Sequence, residues 1–225
     1  MKKRLVSYFV ILCVTMACIF YPQAVYCAEL AAKKSSAEIQ ENAVSKRCSS
    51  AVAYSQAGWD RSAYAVLASA EDFADALCSL TLARQLAAPV LLTTRTALSE
   101  ATAQELQRLE VKHVLIIGGP QALAAEIEKD LKQLGIESFE RVFGQDRYAT
   151  SLEVAKRLSP ANGVVLASGT DCAELLPISG IAGNTGIPII YTGKAGLTDE
   201  LKSYLQRNFV QTAYLVGELG EINSE

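Results

Sequence analysis

The feature that most constrains the fold of this chain is an internal repeat. The segment Val66–Leu77, VLASAEDFADAL, returns as Val165–Leu176, VLASGTDCAELL. The register then continues without a gap to Gly118 and Gly217, and roughly a third of the aligned positions are identical, far more than unrelated segments share. One unit is about a hundred residues long, which is the size of a domain rather than of a solenoid repeat.

The repeat also extends upstream of these segments. The second repeat opens with Arg147–Ser151, RYATS, and Arg47–Ala51 is a degraded version of the same motif, with Cys48 in place of the tyrosine. The sequence therefore predicts a first repeat over residues 44–142 and a second, incomplete repeat over residues 143–225.

Each repeat alternates short apolar runs with amphipathic segments, which indicates βαβ units and a mainly parallel sheet. In the first repeat we predict helices over 49–58, 73–86, from 99, and over 122–134, and strands over 63–69, 89–93, 114–117 and 139–143. Glu71 or Asp72 is expected to cap the second helix. The charges of the third helix, at positions 105, 108 and 110, are expected on its exposed face.

The second repeat shows the same order of helix and strand three times and then stops, without a fourth helix and strand. The predicted fold class is therefore α/β, with tandem small doubly wound domains, mainly parallel sheets and an incomplete second copy. The last strand, from Ala213 to Val216, is expected to be uncovered. Because an exposed apolar strand invites pairing, we expect self-association or a partner that completes the repeat.

The first 27 residues indicate a signal peptide. Lys2–Arg4 is basic, Leu5–Tyr21 is apolar, and Val25 and Cys27 are small enough for the −3 and −1 positions of a cleavage site. Residues 28–43 then form a linker or a short helix. One alternative is that the signal segment stays uncleaved and anchors the protein in the membrane, which is the sole membrane contact we expect. The other is a lipoprotein that is cut before residue 18.

Charge and cysteine content exclude several classes of protein. The formal net charge is −3, and removing the three basic residues of the signal leaves −6, which excludes a general nucleic-acid binder. The cysteines outside the signal, Cys48, Cys78 and Cys172, are odd in number and show no metal-binding spacing. We expect them to be small buried side chains. His113, the sole histidine, has no partner in the sequence and is expected to have a surface role.

Ligands of open parallel sheets bind beyond the carboxyl ends of the strands. In the first repeat these ends carry acids, hydroxyls, arginines and glycines: Ser69–Asp72, Thr93–Arg95, Gly118–Pro120 and Gly144–Arg147. Glu71, Asp72 and Asp75 could form a divalent-metal cluster. Because Asp72 alone recurs unchanged, as Asp171, helix capping is favoured over metal binding.

No other motif at these ends indicates catalysis. Gly118–Pro120 lacks both phosphate-binding glycine fingerprints, which favours a plain turn. The tyrosines Tyr148, Tyr191 and Tyr214 are expected to pack rather than to stack on sugars. The sequence shows no nucleophile–base pair, no metal set and no cofactor motif, so it favours binding over catalysis.

Four motifs together resemble the cell wall-binding repeat 2 family of Gram-positive surface proteins, best known in clostridia. They are Val66–Leu77, Pro89–Leu92, Val114–Gly119 and Gly144–Thr150, and the resemblance covers roughly residues 44–225. It implies non-catalytic modules that hold exported proteins to the cell wall through anionic wall polymers. It also implies three tandem repeats around a pseudo-threefold axis, whereas this sequence shows one full repeat, one incomplete repeat and no attached enzymatic domain.

The resemblance and the signal together predict a secreted, non-enzymatic protein of the cell wall and cell surface, which binds an anionic wall polymer. An enzyme that modifies wall glycan, a modifier of an amidase, and a small-ligand-binding α/β domain remain alternatives. An additional domain with a catalytic constellation would distinguish the enzyme, and none is present in this sequence.

The candidate ligand-binding residues are basic side chains near strand ends, in equivalent pairs: Arg47, Arg147, Arg95 and Lys194. For Arg147 an internal pair with Asp72 or Asp171 is the alternative. A second set is expected to be structural because it recurs in both repeats: Asp72, Asp171, Pro89, Pro188, Gly118 and Gly217. We predict no catalytic residue, no metal ligand and no cofactor.

Overall fold

Helices and strands alternate along the whole described part of the chain. The computed structural model describes residues 40–136, 138–159, 161, 163–193 and 196–217, without the side chains of residues 172 and 173. The predicted signal peptide, most of the linker and Lys194 lie outside these residues.

The first repeat contains α1 (residues 40–58), β1 (Tyr64–Ser69), α2 (Ala74–Gln85), β2 (Val90–Thr93), α3 (Glu100–Arg108), β3 (His113–Ile117), α4 (Glu126–Gln133) and β4 (Ser138–Val142). The second repeat contains α5 (Arg147–Ala155), β5 (Gly163–Ala167), α6 (Cys172–Thr185), β6 (Ile189–Tyr191), α7 (Asp199–Arg207) and β7 (Thr212–Val216).

The strands form two parallel sheets with the same topology. The first has the order β2-β1-β3-β4 and the second, smaller one has the order β6-β5-β7. The registers match as well, since Val66 lies opposite Val90 in the first sheet and Val165 opposite Ile189 in the second. The predicted α/β fold class with tandem, mainly parallel sheets is confirmed.

The start of two helices was predicted wrongly. Residues 40–48 are already helical, because Val44 and Cys48, one turn apart, belong to a buried cluster with Ala70. Conversely, α4 begins four residues later than predicted. The N–H groups of residues 122 and 123 bond to the carbonyl of Gly119 in a turn, and the N–H of Ala124 bonds to the carbonyl of Arg95.

The expectation that the charges of α3 are exposed was wrong for Glu105, which is 1% exposed. Its carboxylate accepts hydrogen bonds from Ser55 of α1 and from Nε and Nη2 of Arg108. Burial by itself would raise the pKa of Glu105, but the hydrogen bonds from Arg108 and Ser55 outweigh it and hold the pKa below its usual value. A buried carboxylate therefore ties α3 to α1.

Equivalent positions of the two repeats form equivalent hydrogen bonds. Ser99 caps α3 by accepting from the N–H of Thr102, and Thr198 caps α7 by accepting from that of Leu201. The hydroxyl of Thr93 donates to the carbonyl of residue 97, and that of Thr192 to the carbonyl of residue 196, both at 2.9 Å. The internal repeat is therefore a repeat of structure as well as of sequence.

The two repeats share one hydrophobic core. It contains side chains of α2 and β1 from the first repeat together with side chains of β5, α6 and β6 from the second. Tyr191 of β6 lies inside it, and its hydroxyl donates to the carbonyl of Ala74 in α2 at 2.8 Å. The described residues from Val44 onward accordingly form one compact unit that contains both sheets.

The two sheets differ at one edge. In the first repeat β4 pairs with β3 along five residues, and the α4 side chains Ile127 and Leu131 share a buried cluster with Ile116 of β3. Within the described residues β7 has β5 as its sole neighbouring strand. Leu215 of β7 is 58% exposed, whereas Ile116 at the equivalent position is 0% exposed.

Among the described residues no helix combines the length and apolar character needed to cross a membrane.

Candidate functional site at the carboxyl ends of the first sheet

A cleft of about 520 Å³ lies beyond the carboxyl ends of the first sheet, where ligands of open parallel sheets bind. The loops after β1, β2, β3 and β4 line it, together with the first turns of α2 and α5. Its charged side chains are four acids and two arginines: Glu71, Asp72, Asp75, Asp146, Arg95 and Arg147. The four strand ends that the sequence predicted to carry a ligand site therefore line one cleft.

Arg147 connects the two repeats at this cleft. Its Nη2 donates to Oδ2 of Asp72 at 2.8 Å, and its Nη1 donates to the carbonyl of Gly169 at 2.6 Å. The guanidinium also lies 6.0 Å from the centre of the Phe73 ring. The structure thus shows the internal pair that was the alternative to ligand binding for this residue.

Arg47 occupies the equivalent position in the first repeat. Its Nη1 donates to the carbonyl of Ala70 at 2.7 Å, as Arg147 does to Gly169 one repeat later. Both arginines hold the loop that follows the first strand of their own repeat. Asp72 adds to the order of this region, because its Oδ1 accepts from the N–H of Ala74, the first residue of α2. The N-cap residue of that helix is Phe73, however, and not the predicted Glu71 or Asp72.

Asp75 is a buried acid, whereas the sequence predicted for it only a disfavoured place in a metal cluster. Burial, and then the negative charge of Asp72, raise its pKa from 3.8 to about 6, against the opposing effect of Arg147. It lies against Gly118, where a Cβ would come within 2.5 Å of Oδ2. Gly118 also has φ +112°, a backbone conformation that favours glycine. The backbone angle and the closeness of the Asp75 carboxyl are therefore two separate reasons for glycine at this position.

The second repeat preserves this arrangement. Glu174 takes the place of Asp75, and a Cβ added to Gly217 would clash with its carboxylate. The pairing of a carboxylate in the first helical turn with the glycine after the third strand is therefore a shared feature. The sequence did not reveal it because the acid and its glycine lie 43 residues apart, although the same separation in both repeats was a usable signal.

Arg95 is the cleft arginine whose guanidinium has no ion pair among the described residues. Its side chain is exposed, while its backbone N–H donates to Glu71 Oε1 at 3.1 Å and so fixes the loop. Phe143 lies at the rim, nearly half exposed, with its ring over Gly119. Phe143 was predicted to end the fourth strand of the first repeat, with no role in binding.

The remaining candidates lie outside the cleft. The carbonyl of Pro89 accepts from the backbone N–H of Val66, and that of Pro188 from the backbone N–H of Val165. These bonds align β1 with β2 and β5 with β6. Tyr191 is packed as predicted, but the side chain of Tyr214 is about half exposed. Asp171 lies directly before α6.

The histidine and the two described free cysteines do not line the cleft. His113 begins β3, at the opposite end of the strands, where it stacks on Tyr64 and contacts Ser138. Cys48 and Cys78 are buried, as expected. In the described part of the chain, no three His, Cys, Asp or Glu side chains are grouped to hold a metal ion.

Replacing Arg147 with alanine is expected to lower the free energy of unfolding by about 1–2 kcal/mol, because two charge-assisted contacts are lost at a partly exposed site. The measurement is the urea midpoint of the variant. Arg95→Ala is the matched control and is expected to leave the midpoint unchanged. An unchanged midpoint for Arg147→Ala would show that its internal contacts contribute nothing to stability.

Comparison with known proteins supports the resemblance. The model of the family described as Cell wall binding domain 2 (CWB2) matches residues 41–128 and 141–225. Two solved structures from Clostridium difficile are similar: Cwp6, with a TM-score of 0.72 and 30% identity over 75% of this chain, and Cwp8, with a TM-score of 0.70 and 31% identity over 76%. The chain covers 27% and 29% of those two proteins.

Curated relatives from Bacillus subtilis (strain 168) are also similar. N-acetylmuramoyl-L-alanine amidase LytC is 30% identical over 80% of this chain, and the amidase enhancer is 30% identical over 68%. This chain spans 36% and 21% of their respective lengths. On the family match, which covers both repeats, the chain belongs to the cell wall binding domain 2 family.

Proposed function

We propose that this chain is an exported protein that attaches to the cell wall by binding an anionic wall polymer without chemical change. The observation that carries the proposal is the match of both repeats to the cell wall binding family. The predicted signal peptide over residues 1–27 supports export, and the two Clostridium difficile structures support a wall-binding role.

Arg95 is the proposed direct contact to the polymer. Among the four basic candidates, Arg47 and Arg147 already donate to loop carbonyls, and Lys194 lies outside the described residues. Arg95 is exposed, lines the cleft and has no ion pair among the described side chains, so its guanidinium is available to a phosphate or carboxylate. The other two arginines then serve to hold the cleft loops in place.

The acids around Arg95 limit how an anionic polymer binds. Four carboxylates line the cleft against two arginines, and one of these arginines is already paired with Asp72. We therefore propose that the polymer contacts the Arg95 side of the cleft and that divalent cations in the wall screen the acids. Addition of a chelator should then weaken binding without unfolding the protein.

We also propose that the chain is not an enzyme. The match to the relatives named as an amidase and an amidase enhancer covers only a minor part of the length of those two proteins. The described part of the cleft contains acids and arginines but no cysteine or histidine, so it offers no nucleophile–base pair of the Cys–His or Ser–His kind.

Self-association through the second repeat is a further part of the proposal. The open edge of β7 and the exposed Leu215 support it, because an uncovered apolar strand tends to pair with another strand.

Co-sedimentation with purified Gram-positive walls tests this function. We expect most of the protein in the wall pellet and no fall in the turbidity of the wall suspension over several hours. Protein that stays in the supernatant would contradict wall binding. Clearing of the walls by the pure protein would instead establish the enzymatic alternative.

A further inference from the structure

The open edge of β7 presents unpaired backbone groups in the described structure. The N–H of Ser168 in the loop after β5 bonds to the carbonyl of Val216, so this carbonyl points towards β5. Because backbone groups point to alternate sides along a strand, those of Ala213 and Leu215 point away from β5. Two donors and two acceptors therefore face outward from the strand.

The first repeat shows what this kind of edge binds. There β3, the equivalent of β7, pairs along its outer edge with β4, and Val114 and Ile116 are fully buried. In β7 the equivalent positions are Ala213 and Leu215, both exposed. The edge thus has the geometry to accept a strand, and its apolar side chains gain from being covered.

Nothing in the sequence of β7 protects the edge. The strand is Thr-Ala-Tyr-Leu-Val, without a lysine, an acid or a proline, which are the residues that usually prevent pairing at an edge. The equivalent partner strand in the first repeat, β4, contains Glu140 and Arg141.

We propose that β7 pairs antiparallel with β7 of a second molecule of this chain, in a register centred on Tyr214. This inference specifies the self-association proposed above. Two identical strands related by a twofold axis must run antiparallel. In this register Ala213 of each molecule lies opposite Leu215 of the other. The backbone groups of both residues face outward, so the twofold axis generates two hydrogen-bonded pairs.

The side chains suit the same register. Leu215 lies opposite Ala213 of the other molecule, so a large side chain meets a small one on one face of the joined sheet. On the other face Tyr214 meets its own copy, and pairs of aromatic residues opposite each other stabilise antiparallel strands. No like charges oppose each other within the five residues. The result is a continuous six-stranded sheet across the dimer.

Sedimentation velocity of the purified full chain at tens of micromolar tests the dimer. Leu215→Lys places a charge on the joined face, and Ala213→Pro removes an outward N–H without affecting the pairing with β5. We expect a dimer for the parent chain and monomers for both variants. Leu176→Lys is the matched control, because Leu176 is equally exposed (57%) but lies on α6, and it should remain dimeric.

A cysteine scan then tests the register. Residues that face their own copy across a non-hydrogen-bonded pair have Cα atoms about 4.5 Å apart, which is within disulfide range. Tyr214→Cys should therefore give a covalent dimer under mild oxidation, whereas Ala213→Cys, Leu215→Cys and the parent chain should not.

The possible outcomes distinguish self-association in general from pairing through β7 and from the specific register. A strictly monomeric parent chain would overturn self-association altogether. A dimer that persists in Leu215→Lys, or that Leu176→Lys weakens equally, would overturn pairing through β7 while leaving self-association intact. Cross-linking at position 213 or 215 in preference to 214 would overturn the register.

Discussion

Replacing Tyr191 with alanine is expected to lower the free energy of unfolding by about 3–5 kcal/mol, as large-to-small changes of buried aromatic residues do. Tyr191 is 2% exposed and lies in the core that the two repeats share. Its hydroxyl also donates across the repeat interface to the carbonyl of Ala74. The substitution therefore leaves a cavity where the two repeats meet and removes the hydrogen bond that joins them there.

Urea denaturation at constant pH measures this effect. Tyr191→Phe keeps the ring and should lose about 0.5–1.5 kcal/mol, the contribution of the hydrogen bond. Tyr54→Ala removes a largely exposed tyrosine and should change stability by less than about 0.5 kcal/mol. If the two repeats unfolded in separate transitions, or if Tyr191→Ala cost less than Tyr191→Phe, the shared core would not be the element that unites them.

Replacing Asp75 with asparagine is expected to stabilise the protein at neutral pH and not at low pH. In the folded protein the pKa of Asp75 is about 6, raised first by burial and then by Asp72, so its charged form is disfavoured. The contribution of this group to stability is full below its unfolded pKa near 3.8 and is lost as the pH rises through 6. The loss amounts to about 3 kcal/mol.

Denaturation of the wild type and of Asp75→Asn at a series of pH values between 4 and 8 measures this linkage. Relative to the wild type, the variant should gain about 2.5 kcal/mol between pH 4 and pH 7.5, mostly between pH 4 and 6.5, because a small part of the linkage already lies below pH 4. In an Arg147→Ala background the gain should be larger, because Arg147 lowers the pKa of Asp75. A difference between wild type and variant that does not change with pH would show that the carboxyl of Asp75 is solvated normally.

The fold was predictable because its signals are local and occur twice. The apolar runs Val66–Ser69 and Val165–Ser168, each followed by an acid and an amphipathic helix, predict parallel strands in any small α/β domain. Because the same pattern of helices and strands occurs in both repeats, each prediction in one repeat was supported by the other. The Ser99 cap of α3 was likewise visible in the sequence, since it depends on residues three positions apart.

The errors have one physical cause, which is that tertiary contacts overrode local patterns. Glu105 looked like a surface residue of α3, and only the neighbouring α1, with the Ser55 hydroxyl, explains why a carboxylate is buried there. The pairing of Asp75 with Gly118 joins residues 43 positions apart and could not be read from spacing within one helix. The choice between ligand and internal partner for Arg147 likewise depended on the position of Asp72 in the other repeat.

The measurement that tests the account most directly is the affinity of the chain for walls, with and without their anionic polymers. Wild type, Arg95→Ala and Arg84→Ala would be titrated onto untreated walls and onto walls stripped by acid extraction. Arg84 is the matched control, because it is an exposed arginine at the other end of α2, away from the cleft.

We predict that wild type and Arg84→Ala bind untreated walls equally and stripped walls weakly. Arg95→Ala should bind untreated walls roughly tenfold less tightly at low salt, the equivalent of one charge-assisted hydrogen bond. This difference should shrink as salt rises and screens exposed charges. Equal binding of the wild type to stripped and untreated walls would contradict recognition of an anionic polymer, and full binding by Arg95→Ala would contradict the cleft as its site.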